Sequence, residues 1–390
     1  GEEGQGRRSG HRVWAGGLRV RVYAERMATA TVRFGALARN LAAVRRRLRS
    51  ETRVMAAVKA NAYGHGLVPV ARFLERQGVD AFGVATAAEA LELRGAGVLA
   101  PLLVLTPVYA GLNELLDYEV TLTVADERAL AAVAAAARPD RPARVHLKVD
   151  TGMGRLGHGP QGALELSRRV GRTPDVILEG VWTHFAAADA EDRSYTLRQL
   201  GVFAELLEGL RRDGTEVALV HAANSAAVFA HPEAHFDLVR PGIALYGYHS
   251  SPAIAALEPD LEPILTLEAP VTYVKRVPAG TSVSYGNLWH APRDTTLATV
   301  RIGYGDGYPR LLSGKAEVLL HGELRPVAGR ICMDQLMVDA LELPVAIGDK
   351  VTLFGPGALD AEGLAARIGT ISYDLLSAIG TRVERVYLEP

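Results

Sequence analysis

Residues 54–66 read VMAAVKANAYGHG. The opening VMAAV is short and wholly apolar. It is followed by glycines at 64 and 66 and then by LVPVARFLERQG (67–78), whose apolar residues recur at helical spacing. Such a stretch reads as a buried strand, a turn and a crossover helix. Lys59 closes the strand. A desolvated lysine gives up its proton more readily than a solvated one, which suits Schiff-base chemistry. From this stretch alone, a lysine simply exposed in the loop fits equally well.

The same unit repeats outward in both directions. Upstream, MATATVRF (27–34) alternates like a strand, and GALARNLAAVRRRLR (35–49) sets Leu37, Leu41, Val44 and Leu48 on one helical face. Downstream come the strand-like DAFGVAT (80–86), LLVLTP (102–107), YEVTLTV (118–124), RVHLKVD (144–150), ILEGVWTHF (177–185), VALVHAAN (217–224) and FDLVRPG (236–242), with helical material such as AAEALELRGAG (87–97) between several of them. Strands alternating with helices imply parallel pairing through crossovers. A count close to eight through Gly242 favours an α/β fold of the (β/α)8 TIM-like barrel type, with an open doubly wound sheet as the alternative. With MATATVRF taken as the first strand, Lys59 ends the second, on the side where barrel enzymes assemble their sites.

After about residue 262 the pattern changes. ILTLEAPVTYVKRVPAG (264–280), TTLATVRIG (295–303), AEVLLHGELRPVAGR (316–330), QLMVDALEL (335–343) and DKVTLFG (349–355) are short, rich in Val and Leu, and punctuated by Gly, Pro and Asp. These are antiparallel strand signals, and only DAEGLAARIG (360–369) and YDLLSAI (373–379) look helical. The expected organisation is a flexible extension over 1–26, a barrel over 27–262 and a mostly antiparallel β domain over 263–390, with residues near 17–33 packing back against the latter. A chain of 390 residues suffices for two cores. The 43 Lys and Arg nearly cancel the 44 Asp and Glu, a balance that supports neither a nucleic-acid nor a membrane partner. The one cysteine, Cys332, rules out an intrachain disulfide.

Two further segments end apolar runs in small-residue turns. HAANSAA (221–227) holds Asn224 and Ser225, and VRPGIALYG (239–247) holds Gly242 and Ile243. Turns of this kind offer backbone N–H groups and a hydroxyl to a phosphate. Gly242 by itself reads as any turn glycine. Together with AVKANAYGHG (57–66), HLKVDTGMGRLG (146–157), THFAAAD (183–189), SVSYG (282–286), IGYGDG (302–307) and GRICMDQ (329–335), these segments resemble the successive signatures of the alanine racemases, fold-type III pyridoxal-phosphate enzymes. The resemblance runs through residues 28–388 in the family's order.

The resemblance implies a racemase that interconverts L- and D-alanine for peptidoglycan, with pyridoxal 5'-phosphate held covalently by Lys59. Tyr63, Ser225, Gly242, Ile243 and Tyr373 would contact the phosphate, with Asn224 beside them. His184 would lie against the pyridine ring, and His221 and Arg240 would complete a polar chain beneath it. A guanidinium cannot accept a hydrogen bond from a protonated ring nitrogen, so it favours the unprotonated ring, a weaker electron sink than a carboxylate would give, and suppresses side reactions. Arg155 would reach the phenolic oxygen and the substrate carboxylate. Lys148 matches a lysine often carbamylated in the family, a change that removes like-charge repulsion with Arg155.

Racemisation needs proton transfer on both faces of the α-carbon. By resemblance Lys59 acts on the D-enantiomer and Tyr285 on the L-enantiomer, with Tyr304 and the backbone of Met333 finishing the substrate pocket. Gly305 stands where the family commonly has alanine, and Cys332 reads as a small buried residue beside the site. The family also implies a homodimer with shared active sites; a cytoplasmic location is expected, and no histidine or cysteine grouping suggests a metal. Other readings are a racemase for serine or another amino acid, a related amino-acid decarboxylase, and a non-catalytic pyridoxal-phosphate-binding barrel. A decarboxylase would place a carboxylate at the ring nitrogen and lack SVSYG. The binding barrels resemble the first domain only.

Overall fold

Strands buried on both faces need helices outside and one another's side chains inside, and a closed parallel barrel supplies both. A computed structural model describes residues 27–357 and 359–390 of the chain. After β1 (Thr29–Arg33) and the helix Phe34–Arg46, the barrel runs β2 (Arg53–Ala57), β3 (Ala81–Val84), β4 (Leu102–Val104), β5 (Thr121–Val124), β6 (Ala143–Lys148), β7 (Val176–Trp182), β8 (Leu219–His221) and β9 (Leu238–Val239). Neighbours pair in parallel, and β9 closes on β2. The second domain follows with β10 (Leu265–Val277), β11 (Ser282–Val283), β12 (Trp289–His290), β13 (Thr295–Val300), β14 (Glu317–Leu320), β15 (Glu323–Pro326), β16 (Leu336–Leu341), β17 (Lys350–Phe354) and β18 (Glu384–Leu388). Its helices span Ala361–Arg367, inside the first segment that looks helical in the sequence, and Ser372–Ser377, which begins one residue before the second.

The strand MATATVRF does not belong to the barrel. β1 pairs antiparallel with β10 and parallel with β18, inside the sheet of the second domain. The reason is visible in its residues: Ala30 and Val32 are buried while Thr29, Thr31 and Arg33 on the other face are not, whereas β3, β4 and β5 are buried on both faces. A strand with one wet face suits a sheet, not a barrel wall. Lys59 therefore follows the first barrel strand, not the second. Residues 29–33 do pack back as expected of the 17–33 region. Residues 1–26, expected to form a flexible extension, lie outside the described residues. No helix of the described residues is long and apolar enough to cross a membrane.

The segment after Lys59 has an unusual backbone. Ala60, Asn61, Ala62 and Tyr63 all have φ between 52° and 55°, one turn of left-handed helix continued by Gly64 at 84°. Left-handed residues other than glycine cost about 1–2 kcal/mol each, so surrounding contacts must hold the turn. Ala62 N–H donates to Val58 O at 2.8 Å, Leu67 N–H to Asn61 Oδ1 at 2.8 Å, and Ala60 N–H to Glu89 Oε1 at 2.7 Å. From the second domain, Arg385 Nε donates to Gly64 O at 3.0 Å and the Tyr387 hydroxyl to His65 O at 3.2 Å.

Gly64 is required twice over. A Cβ there would lie 1.9 Å from Leu376 O, on the docked helix, and the residue's φ is left-handed. Gly64→Ala should lose roughly 1–3 kcal/mol from backbone strain alone, before the clash. Gly201, inside the helix Ser194–Arg212, would meet nothing within 4 Å, so Gly201→Ala should gain about 0.5–1 kcal/mol. Denaturant unfolding of both variants checks the contrast. Equal stabilities would mean that the turn relaxes freely.

Candidate active site

The C-terminal ends of the barrel strands bring the barrel's share of the expected residues to one mouth. Lys59 follows β2, Lys148 ends β6, His184 follows β7, His221 ends β8 and Arg240 follows β9. The Lys59 ammonium is disfavoured, first by burial and then by Arg155 and Arg240, with Glu89 opposing the shift. That is the environment in which an amine becomes a nucleophile at neutral pH. Glu89 itself is fixed by the helix it caps, accepting from Ala85 N–H at 2.8 Å and Thr86 N–H at 3.1 Å besides Ala60.

Across the mouth, the turn after β9 folds around one hydroxyl. Ser225 Oγ accepts from Gly242 N–H at 2.8 Å and Ala244 N–H at 3.3 Å. With both lone pairs engaged, its O–H is left to donate, and a phosphate oxygen is a fitting acceptor. Ile243 opens a 3-10 turn, so its N–H has no acceptor within that turn. A Cβ on Gly242 would come 2.5 Å from the Tyr63 hydroxyl, so only glycine leaves room there. Tyr63 and Tyr373 face each other with ring centroids 6.0 Å apart, and burial pushes the Tyr63 phenol up to about 12, keeping it a donor. Asn224 is committed differently from the others: its side-chain oxygen caps the helix Ser225–Ala230 through Ala227 N–H at 3.0 Å. These donors, set opposite a deprotonation-prone lysine, fit a phosphorylated aldehyde such as pyridoxal phosphate.

Beneath the mouth lies Arg240. It donates Nη1–H to His221 Nδ1 at 2.9 Å and Nη2–H to Thr183 O at 2.7 Å, with His184 Nδ1 3.3 Å away. Burial lowers Arg240 to about 9, still cationic at neutral pH. His184 is held well below the usual imidazole range, by burial first and then by Arg240, Arg155, Lys59 and Lys148. Burial also brings Lys148 down to about 8, and its ammonium donates to Val149 O at 2.6 Å and Leu156 O at 3.2 Å. The Trp182 ring, which sequence reading passed over, gathers these groups. Lys148 Nζ lies 5.2 Å and Arg240 Cζ 4.9 Å from its centroid, and His221 stacks parallel to it at 5.8 Å. Its place two residues before His184 on a strand was the available signal.

The remaining expected residues form a second group, on the β domain. Tyr304 N–H donates to Cys332 O at 3.0 Å, Gly305 N–H to Met333 O at 2.8 Å, and Ser284 Oγ–H to Arg330 O at 2.6 Å. Cys332 is half-buried, not buried as expected. Tyr285 is 70% exposed, and Leu288, Tyr304 and Met333 are exposed with it. Among the described residues, no hydrogen bond joins this group to Lys59 or Arg240. Tyr373 alone is carried from the second domain to the barrel mouth of its own chain, by the helix Ser372–Ser377 that docks on the left-handed turn.

Comparison with known proteins follows the same division. The family described as "Alanine racemase, N-terminal domain" matches residues 32–250, and "Alanine racemase, C-terminal domain" matches residues 264–387. An alanine racemase of Desulfovibrio desulfuricans is 41% identical over 368 residues, covering 94% of this chain and 99% of that protein. One from Treponema pallidum subsp. pallidum is 44% identical over 354 residues, covering 87% and 94%. The crystal structure of alanine racemase from D-cycloserine-producing Streptomyces lavendulae superposes with a TM-score of 0.88 at 40% identity, over 93% of this chain and 97% of that one. Likeness of this extent in both domains places the chain in the alanine racemase family, the fold-type III pyridoxal-phosphate enzymes that interconvert L- and D-alanine.

Proposed function

We propose that Lys59 and Tyr285 are the two proton-handling side chains of this racemase, one for each face of the substrate α-carbon, and that the D-alanine formed serves peptidoglycan. Pyridoxal phosphate, when bound, supplies the electron sink that acidifies the substrate Cα–H. Tyr63, Ser225, Gly242, Ile243 and Tyr373 would hold its phosphate, with Asn224 fixing the Ser225 helix, while His184 and Arg240 would bound its ring. The observation that carries this reading is the half-buried Lys59 amine at the barrel mouth, where burial and the charges of Arg155 and Arg240 disfavour its charged form. A neutral amine there accepts the α-proton of D-alanine, or, once protonated, delivers one to form it.

Tyr285 does the same for the L-enantiomer. Its exposure beside Leu288, Tyr304 and Met333 supports a place at the mouth of a second copy's barrel, in a two-fold dimer with shared sites in the cytoplasm. Arg155 takes the substrate carboxylate, and Tyr304 with the Met333 backbone bounds the methyl side. A neutral Lys148 amine can attack carbon dioxide and release a proton, giving a carbamate whose negative charge offsets Arg155.

The test is direct. Purified protein incubated with pyridoxal phosphate should exchange the α-proton of L- and D-alanine, and do so faster than for serine, arginine or lysine. Borohydride should then fix the cofactor on Lys59. A peptide map that finds the adduct on another lysine removes the assignment.

A further inference from the structure

The polar chain does not stop at His221. His221 Nε2 lies 2.8 Å from His146 Nδ1, and His146 Nε2 lies 3.3 Å from Glu179 Oε2. Glu179 also accepts from Arg144 Nη1 at 3.1 Å and from Thr121 Oγ1 at 3.3 Å. This end of the chain opens into a cavity at the N-terminal ends of the strands, whose wall includes Arg53 and Asp80 as well as Thr121, His146 and Glu179. A line of side chains thus crosses the barrel interior, from the lysine mouth to the opposite one.

Its proton placement follows from chemistry. A guanidinium only donates, so His221 Nδ1 must accept from Arg240. A neutral imidazole then carries its proton on Nε2 and gives it to His146 Nδ1, and His146 in turn donates from Nε2 to Glu179. Both imidazoles are held below their usual range, by burial above all, and the His146 bond is the main reason that the Glu179 carboxyl sits below its own. The chain is therefore a cation and an anion joined by two neutral rings, all pointing one way.

The barrel is shaped to hold it. A Cβ on Gly180 would lie 2.7 Å from the His146 ring, so the glycine makes room for the imidazole, and the pairing of β6 with β7 slips register at His146. Slips of this kind re-aim a side chain.

We propose that Glu179, at the barrel end opposite the cofactor, is a positioning residue for racemisation: through His146 and His221 it keeps Arg240 oriented as a charged donor beneath the cofactor ring. The inference rests on the placement of the ring over Arg240 in the preceding reading. Without the carboxylate, His146 loses the acceptor for Nε2–H. If His146 then turns its proton to Nδ1, it meets the His221 donor, and relief of that clash would put a proton on His221 Nδ1, facing Arg240. One missing acceptor therefore disturbs every link.

Histidine-¹⁵N spectra of the whole protein, cofactor-free and loaded, read the ring protonation directly. In the wild type both His146 and His221 should carry the proton on Nε2. Glu179→Leu should mix the tautomers of both rings, and Gly180→Ala, which alters no charge, should do the same by displacing His146. Glu179→Gln keeps an acceptor oxygen and should preserve the tautomers. In the loaded enzyme, Glu179→Leu should lower kcat about 10-fold, the lower end of what losing an outer partner of a functional histidine costs, with KM little changed. Folded variants that keep wild-type tautomers, or a Glu179→Leu enzyme with wild-type kcat and pH profile, overturn the proposal. Should Glu179→Leu fail to fold, Gly180→Ala decides, because it displaces the His146 ring without touching the carboxylate, and wild-type tautomers in that variant overturn the proposal. A wild type that does not racemise alanine sinks the preceding reading instead, while the tautomers remain measurable without cofactor.

Discussion

Lys59→Ala is expected to lower alanine racemisation by about 10⁴-fold or more, because in the proposed function Lys59 is both the covalent anchor of the cofactor and one of the two proton-handling groups. The chain should still fold. Lys59 precedes the left-handed turn, and the hydrogen bonds that hold the turn involve Val58, Asn61, Glu89, Arg385 and Tyr387, none of which bonds the lysine side chain. Circular dichroism should therefore match the wild type, while borohydride incorporates no cofactor at this position. A variant that retains wild-type turnover would place the chemistry on another group.

Tyr285→Phe is the second large effect. The substitution removes one hydroxyl from a side chain that is 70% exposed in the single chain, so stability should change by less than about 0.5 kcal/mol. Racemisation should nevertheless fall roughly 10²–10⁴-fold, the usual worth of a general acid or base. Solvent deuterium should continue to enter from D-alanine, handled by Lys59, and nearly cease from L-alanine. Equal exchange from both enantiomers would end the two-base scheme. Mixing Lys59→Ala with Tyr285→Phe subunits extends the test to the proposed dimer. Random exchange makes half the dimers mixed, each with one complete site of two, so roughly a quarter of wild-type activity should return. Verified exchange with no recovered activity would put both groups in one chain.

The barrel was legible because strands buried on both faces leave short unbroken apolar runs, as at VMAAV and LLV. β1 was misplaced because its length fits the barrel series. Its alternation of Thr29, Thr31 and Arg33 with Ala30 and Val32 marked it as a sheet strand instead. Lys59 could be marked as a strand-end lysine from the sequence, while its role and the whole of the Arg240 reading came with the family resemblance. Glu89 could not, because its contact with Ala60 depends on how two successive crossover units sit side by side. His146 lies two residues before Lys148 on β6, which puts both on one face, but its ring is aimed by a register slip that no spacing announces.

The left-handed turn at residues 60–63 imposes a timetable on the birth of the enzyme. A chain leaves the ribosome from its N-terminus, and its domains tend to fold in that order. All eight barrel strands are complete by Val239, yet several contacts that hold the turn come from much later in the chain: the Ser372–Ser377 helix, Arg385 and Tyr387. Until that last stretch emerges, these residues lack a large part of what offsets the cost of the left-handed backbone. A barrel without this stretch would keep the contacts from Val58, Asn61 and Glu89 but lose those from Arg385 and Tyr387, so the backbone that follows Lys59 would be less firmly set.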